Sequence, residues 1–181
     1  FPLVISPTGF TRIAHPLGEI AVARSAAEYQ IPFTLSTMAT RSIEEIAALP
    51  GPPFQDQSSR ASSSARNWFQ VYVWKDRGLL RELLYRAKDA NFEAIMITVD
   101  TAVLGRRERD VRKGFTLPPK VGVDTLFDGV RHPAWTWGLL RNDPIRFANV
   151  VGSGTEDGST AITLADHVNA QFDQSLSWKD I

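Results

Sequence analysis

The sequence predicts an α/β fold built around a parallel β-sheet. Two observations carry this prediction: short apolar runs rich in β-branched and aromatic residues recur along the chain, and helical patterns fill the gaps between them. Each run is three to seven residues long and ends in small, polar or charged residues, which is typical of buried parallel strands. The four runs are Pro2–Ile5, Phe33–Leu35, Trp68–Trp74 and Ala94–Val99.

Three segments between these runs have helical patterns. The first is the Ala-rich segment Glu19–Tyr29. The second begins at Ser42, whose spacing to Glu45 is that of a capping box with the serine as N-cap. The third runs from Leu79 to about Asn91 and repeats leucine and alanine on one face. Strands that alternate with helices in this way predict βαβ units, whose strands lie parallel.

Two segments interrupt the alternation. Pro50–Asn67 is rich in Pro, Gly, Ser and Arg, and we predict a long mobile loop that is either a solvated linker or a lid over a substrate site. The segment of about residues 106–160 contains no convincing strand, and we predict an irregular insertion within a single domain of residues 1–181. Because both ends of the sequence break off without a tail, we expect a longer natural protein.

Composition excludes several classes of function. The 181 residues are 43% hydrophobic and 22% charged, with a formal net charge of zero, which is typical of a globular domain and argues against general nucleic-acid affinity. The chain has no cysteine, so disulfide bonds and thiolate metal sites are excluded, and we find no other metal-ligand spacing. No apolar run approaches the ~20 residues of a membrane-spanning helix. We expect a cytoplasmic protein.

Function in parallel βα architectures collects at the carboxyl ends of the strands. These ends supply hydroxyl, amide, phenol and carboxylate groups: Ser6, Thr8, Ser36, Gln70, Tyr72, Thr98 and Asp100. Such groups suit a planar heterocycle with hydrogen-bonding edges, and the phenol of Tyr72 suits a small anionic substrate beside it. The charged run Gly105–Gly114 is either a solvated surface loop or the source of an arginine that binds a substrate carboxylate.

These residues resemble a known family, the FMN-dependent α-hydroxy-acid oxidases and dehydrogenases. Members include glycolate oxidase, flavin-type L-lactate dehydrogenase, lactate monooxygenase and mandelate dehydrogenase. The similar stretches follow the family's order near its spacing, and together they cover almost the whole chain. They are Ser6–Gly9, Ala14–Glu19, Leu35–Thr40, Phe69–Val73 with Lys75–Arg77, Ile97–Thr101 with Leu104–Glu108, and Ser175–Asp180.

The resemblance implies a TIM-type (β/α)8 barrel, of which this chain holds roughly the first four strands as a parallel half-barrel. It also implies that the base histidine, a lysine near the flavin and the phosphate-binding segments all follow Ile181. The implied reaction is the FMN-dependent oxidation of an L-2-hydroxy acid, lactate-like or mandelate-like, to the 2-oxo acid. This chain alone would then be inactive.

The resemblance also assigns roles to single residues. Pro7 and Thr8, with the surrounding backbone, are implied to lie against the flavin ring, with Ser6 where many members have alanine. Three side chains are implied to hydrogen-bond the ring system: Ser36, Gln70 and Thr98. The substrate side is assigned to Tyr72, which contacts the substrate, to Arg107, which binds its carboxylate, and to Asp100, which orients and stabilises the catalytic histidine.

The insertion departs from the soluble oxidases and looks more like the membrane-associated lactate and mandelate dehydrogenases. Its aromatic, leucine and basic residues suit either a segment at a membrane interface or a packed loop. We therefore expect peripheral contact with the inner face of the membrane as one interpretation, and a dehydrogenase that passes electrons onward rather than to oxygen. The alternative function is an inactive half-barrel that binds a phosphate or flavin ligand or self-associates. Four parallel strands leave two open edges, which favours a homo-oligomer.

Overall fold

The computed structural model describes residues 3–50, 66–100, 108, 112, 127, 129–150, 173, 175 and 177. Three parallel strands form one sheet in the order β1-β2-β3, which confirms the predicted parallel α/β architecture. The named elements, in chain order, are a 3₁₀ helix Thr11–Ile13, α1 Glu19–Glu28, β1 Phe33–Ser36, α2 Ile43–Ala47, β2 Asn67–Tyr72, α3 Arg77–Asp89, β3 Ala94–Thr98 and α4 Pro133–Arg141.

The first predicted strand contributes a single bridge, in which Ile5 lies parallel to Phe33. The Ile5 N–H donates to the Pro32 carbonyl at 2.9 Å, and the Ile5 carbonyl accepts from Thr34 at 3.1 Å. In a parallel ladder the preceding bond would run from the N–H of residue 32 to the Leu3 carbonyl, but Pro32 has no N–H. The prediction of a strand over Pro2–Ile5 is therefore corrected to one bridge at Ile5, and Pro2 lies outside the described residues.

The predicted helices are confirmed near their expected bounds. In α2, the Ser42 hydroxyl accepts from the Glu45 N–H at 3.1 Å and the Glu45 carboxylate accepts from the Ser42 N–H at 2.8 Å, so the capping box is complete. Helix α3 begins two residues earlier than predicted. The Asp76 carboxylate accepts from the N–H groups of Gly78 and Leu79 and thereby fixes that start.

The core lies between the sheet and its helices. All four residues of β1 are buried, and α3 turns Leu79, Leu83 and Ala87 inward at helical spacing. Phe69 of β2 is 0% exposed and meets Phe92 edge-on. Full burial of a side chain of leucine or phenylalanine size stabilises the fold by about 1.5–3 kcal/mol, so this layer holds the strand ends in a fixed register.

The structure differs from the predicted irregular insertion in one place. Residues 133–141 form α4, which begins with Pro133 in its first turn, where the missing N–H costs nothing. Its Trp and Leu residues surround the helix without an apolar stripe, and for this reason the sequence pattern does not predict it. Further along, Phe147 and Val150 are buried in the core, and Asn149 accepts from the Ile43 N–H at 3.0 Å. The prediction of irregular structure is therefore wrong for residues 133–141, whereas residues 142–150 contain neither helix nor strand but pack against the core. The loop residues 51–65 lie outside the described residues.

Candidate functional site

Polar side chains line one face of the sheet at its carboxyl edge. The register aligns Ser36 with Gln70 on β2, and the Ser36 hydroxyl donates to Gln70 Oε1 at 3.0 Å. Gln70 Nε2 in turn donates to Thr98 Oγ1 at 2.7 Å. Ser36 and Gln70 are 3% and 2% exposed. One hydrogen-bonded chain therefore crosses all three strands and joins three of the residues predicted to bind a flavin ring.

The Gln70 amide is held in one orientation. Its Oε1 accepts a second bond from the Thr37 N–H at 3.3 Å, so the oxygen faces β1 and the nitrogen faces β3. The Thr37 hydroxyl adds a bond of 2.6 Å to the Gln70 carbonyl. Thr98 Oγ1 accepts from Gln70, and among the described residues no acceptor takes its own proton, which a ligand can therefore use. The edge is thus preorganised.

Tyr72 and Asp100 follow at the ends of β2 and β3. Tyr72 is half-buried and is paired in register with Thr98. Burial raises the pKa of the Tyr72 phenol above its ordinary value, and the negative charge of Asp100 raises it further. The phenol is therefore protonated at neutral pH and able to donate a hydrogen bond. The structure thus brings these two predicted residues within electrostatic reach, and Asp100 is exposed.

Ser6, Pro7 and Thr8 lie on the segment after the Ile5 bridge. Ser6 and Thr8 are exposed and line a cavity of about 340 Å³ on the side of α1, whereas Pro7 is half-buried. Within the described residues, no hydrogen bond joins these three to the chain of Ser36 and Gln70. Their placement against a flavin ring therefore stays a prediction.

This segment meets the loop that follows β1. The Phe10 N–H donates to the Met38 carbonyl at 3.0 Å. A Cβ on Gly9 would lie 2.9 Å from both the Cβ and the carbonyl oxygen of Met38, which is too close for any side chain. Glycine at position 9 therefore permits the close approach of the two loops.

The groups present fit the edge of a flavin ring, which carries both hydrogen-bond donors and acceptors. The fixed Gln70 amide and the Thr98 hydroxyl provide donors, whereas the Ser36 hydroxyl oxygen already accepts from the Met38 N–H at 3.1 Å and serves to fix the amide. Metal binding has no comparable support: in the described part of the chain, no group of three or more His, Cys, Asp or Glu side chains is placed to hold an ion. No helix there has the length and apolarity to cross a bilayer.

Arg107, predicted to bind a substrate carboxylate, lies outside the described residues. Thr37 follows Ser36 at the same strand end and is given no separate role by the resemblance, although its hydroxyl donates to the Gln70 carbonyl. Glu19 was missed, because its partners lie far away in sequence.

Known proteins match the chain along its whole length. A family model described as FMN-dependent dehydrogenase matches residues 1–181. Glycolate oxidase of Spinacia oleracea is 37% identical over 180 residues, a match that covers 99% of this chain and 39% of the relative. L-lactate dehydrogenase of Serratia proteamaculans is 36% identical over 184 residues and is covered to 44%. The chain thus spans less than half the length of these curated relatives.

Solved structures agree with these matches. A crystal structure of (S)-mandelate dehydrogenase, described as a monotopic membrane protein, superimposes with a TM-score of 0.83 at 32% identity and covers 99% of this chain and 43% of that one. A mandelate oxidase gives 0.64 at 30% identity, covering 99% of this chain and 38% of that one. The prediction of a partial TIM-type barrel is confirmed. The resemblance found in the sequence is confirmed as well, and the chain belongs to the FMN-dependent dehydrogenase family.

Proposed function

We propose that this protein binds FMN at the carboxyl edge of its parallel sheet and oxidises an L-2-hydroxy acid to the 2-oxo acid. The observation that carries the proposal is the hydrogen-bonded chain of Ser36, Gln70 and Thr98, found in a member of the FMN-dependent dehydrogenases. When bound, FMN supplies the acceptor for two electrons. The protein holds the ring, orients the substrate and stabilises the charges that the reaction creates.

The ring is held by groups that are already in place. The Thr98 hydroxyl donates its free proton to the ring, and the Gln70 amide, fixed between two strands, keeps that hydroxyl oriented. Ser36 locks the other end of the amide. Pro7 and the backbone around Ser6 and Thr8 lie against the ring face, next to the close contact of Gly9 with Met38.

The substrate lies beside Tyr72, Asp100 and Arg107. Oxidation of the hydroxy acid removes two electrons and two protons, one from the α-carbon and one from the hydroxyl. The protonated Tyr72 phenol donates a hydrogen bond to the substrate, and Arg107 binds its carboxylate bidentately. The Asp100 carboxylate stabilises the histidine that takes up a proton, since an adjacent negative charge favours imidazolium.

Anaerobic substrate mixing tests this function in the full-length natural protein loaded with FMN. L-lactate, (S)-mandelate and glycolate are each added, with D-lactate as the stereochemical control. We expect at least one of the first three to bleach the oxidised flavin and to yield its 2-oxo acid. A flavin that stays oxidised with all three contradicts the proposed reaction.

We further propose that α4 and the residues before it attach the protein to the inner face of the cytoplasmic membrane. Four large apolar side chains there are strongly exposed: Phe127 66%, Val130 75%, Trp137 60% and Leu140 75%. The guanidinium of Arg141 lies 4.9 Å from the centre of the Trp137 ring. Exposed aromatic and leucine side chains mixed with basic groups suit a membrane interface.

The comparisons support this second proposal. The relative with a TM-score of 0.83 is described as a monotopic membrane protein, whereas the mandelate oxidase reaches 0.64 over an equal share of the chain. A membrane-attached enzyme of this family would pass electrons onward rather than to oxygen. Rapid reoxidation of the reduced flavin by air would contradict that role.

Vesicle sedimentation tests the attachment. Wild-type protein should sediment with vesicles that contain anionic lipid, and Trp137→Ser with Leu140→Ser should abolish sedimentation. The matched control is Tyr85→Ser, which removes an equally exposed aromatic (58%) from α3. Equal loss in the control variant would contradict a role specific to α4.

Self-association is a further proposal, and it rests on β3. Ile95 and Ile97 lie on one face of that strand and are each 41% exposed, and Val99, which follows the strand, is 51% exposed. Sedimentation equilibrium distinguishes a homo-oligomer from a monomer.

A further inference from the structure

Glu19 is a buried carboxylate at the first position of α1. Its side chain belongs to a residue that is 1% exposed. Within the described part of the chain, none of the ion pairs includes it. A buried carboxylate without a cation depends on hydrogen-bond donors and, here, on the favourable end of a helix dipole.

The donors to Glu19 come from two different segments. Thr40, beyond β1, donates through its N–H to Oε1 at 2.9 Å and through its hydroxyl to Oε2 at 2.6 Å. Thr11, at the start of the 3₁₀ helix, donates its N–H to Oε1 at 3.4 Å. The carboxylate therefore bridges two loops that are separated by β1 and α1 in the chain.

These two loops are the ones that carry the candidate flavin-binding residues. Thr11 follows the Ser6–Gly9 segment, and Thr40 follows the loop of Ser36 and Met38. A second link runs in parallel, since the Arg12 N–H donates to the Thr40 hydroxyl oxygen at 3.3 Å. Glu19 also lines the same cavity of about 340 Å³ as Ser6 and Thr8.

Gly18 allows the start of α1, and with it the Glu19 carboxylate, to lie close to the 3₁₀ helix. Its φ of 55° and ψ of −132° belong to a conformation that side chains rarely adopt, and a Cβ there would lie 2.6 Å from the Arg12 Cγ. The close approach lets α1 begin directly beneath the 3₁₀ helix. Glu19 is therefore held at a fixed distance from both loops.

We propose that Glu19 is a positioning residue for the flavin: its carboxylate fixes the separation of the Ser6–Gly9 segment and the Ser36–Met38 loop, on which the ring rests. The proposal deepens the proposed function and rests on it. Glu19 acts through the backbone of Thr11 and Thr40 and does not itself touch the ring.

Glu19→Gln tests this with little change of shape. The amide oxygen still accepts the two N–H bonds, but the amide nitrogen cannot accept from the Thr40 hydroxyl. Thr40→Val removes the same bond from the other side, together with the acceptor of the Arg12 N–H. The matched control is Glu28→Gln, the same chemical change on the exposed end of α1.

In the full-length natural protein, FMN titration, the absorption spectrum of the bound flavin and thermal unfolding of the flavin-free form are measured for each variant. We expect Glu19→Gln and Thr40→Val each to raise the FMN dissociation constant about tenfold and to alter the flavin spectrum, with no further increase in the double variant. Glu28→Gln should match the wild type.

The outcomes distinguish a failure of the positioning role of Glu19 from a failure of FMN binding itself. If wild-type protein binds FMN and Glu19→Gln lowers only the melting temperature, with affinity and spectrum unchanged, Glu19 is merely structural and the inference is overturned. If wild-type protein binds no FMN, the proposed function fails and the inference fails with it.

Discussion

Replacing Thr98 or Thr34 by valine should change the free energy of unfolding in opposite directions: Thr98→Val should lower it and Thr34→Val should raise it. Both threonines lie on the same face of the sheet, as the strand register requires. They differ in their hydroxyl groups. Thr98 Oγ1 accepts from Gln70 Nε2 at 2.7 Å, whereas Thr34 Oγ1 is buried and has no hydrogen-bond partner among the described residues. The substitution is chemically identical, so each variant is the control for the other.

The magnitudes follow from these contacts. Thr98→Val leaves the Gln70 amide nitrogen, in a residue that is 2% exposed, without its acceptor. An unsatisfied buried donor costs about 1–3 kcal/mol, and because Thr98 is only half-buried, water can replace part of the bond. We therefore expect the free energy of unfolding to fall by about 1 kcal/mol. Thr34→Val removes a buried hydroxyl that has no partner and should raise it by about 1 kcal/mol.

Urea unfolding and FMN titration measure the two effects. Equal m-values would show that the change in midpoint reports stability. Thr98→Val should also weaken FMN binding about tenfold, since it removes a donor to the ring, whereas Thr34→Val should leave the affinity unchanged. A stability change of the same sign in both variants would refute the hydrogen-bond assignment. Unchanged FMN affinity in Thr98→Val would refute the role of Thr98 in the site.

Two further predictions concern the stability of the fold around the site. Gly18→Ala should lower the free energy of unfolding by about 1–3 kcal/mol, because alanine must adopt a φ of 55° and displace Arg12; a thermal midpoint equal to that of the wild type would contradict this. The hydrogen bonds from Arg86 lower the pKa of Glu44 from 4.5 to about 2, so the pair stabilises the fold above pH 4.5 and is lost as the pH falls towards 2. The Glu44 side chain is 56% exposed, which limits the effect to about 1 kcal/mol, and the stability difference between wild type and Glu44→Gln should vanish near pH 2.

The sequence predicts the local elements well because their signals are local. The capping box of Ser42 and Glu45, the apolar face of α3 and the β-branched runs each lie within a few residues, and the structure confirms them. The first strand is wrong before Ile5, since the sequence pattern weighs side chains, whereas pairing of Leu3 with β1 also needs the N–H that Pro32 lacks. Helix α4 is missed because its apolar residues surround the helix rather than form one stripe.

The candidate site is predictable as a set of residues but not as a network. Position at strand ends selects Ser36, Gln70 and Thr98, and the register then decides that they bond to one another. Glu19 could not be found in this way. Its main partner, Thr40, is brought to it only by the packing of α1 beside β1, across a separation of 21 residues.

The most direct test of the central claim is to mix the purified full-length natural protein with FMN, desalt it and follow the flavin absorbance and fluorescence. If the carboxyl edge of the sheet binds the flavin ring, yellow flavin with altered fluorescence stays with the protein, and Gln70→Met releases it. Complete loss of flavin from the wild type, or equal retention by Gln70→Met, would contradict the assignment of this edge as the flavin site.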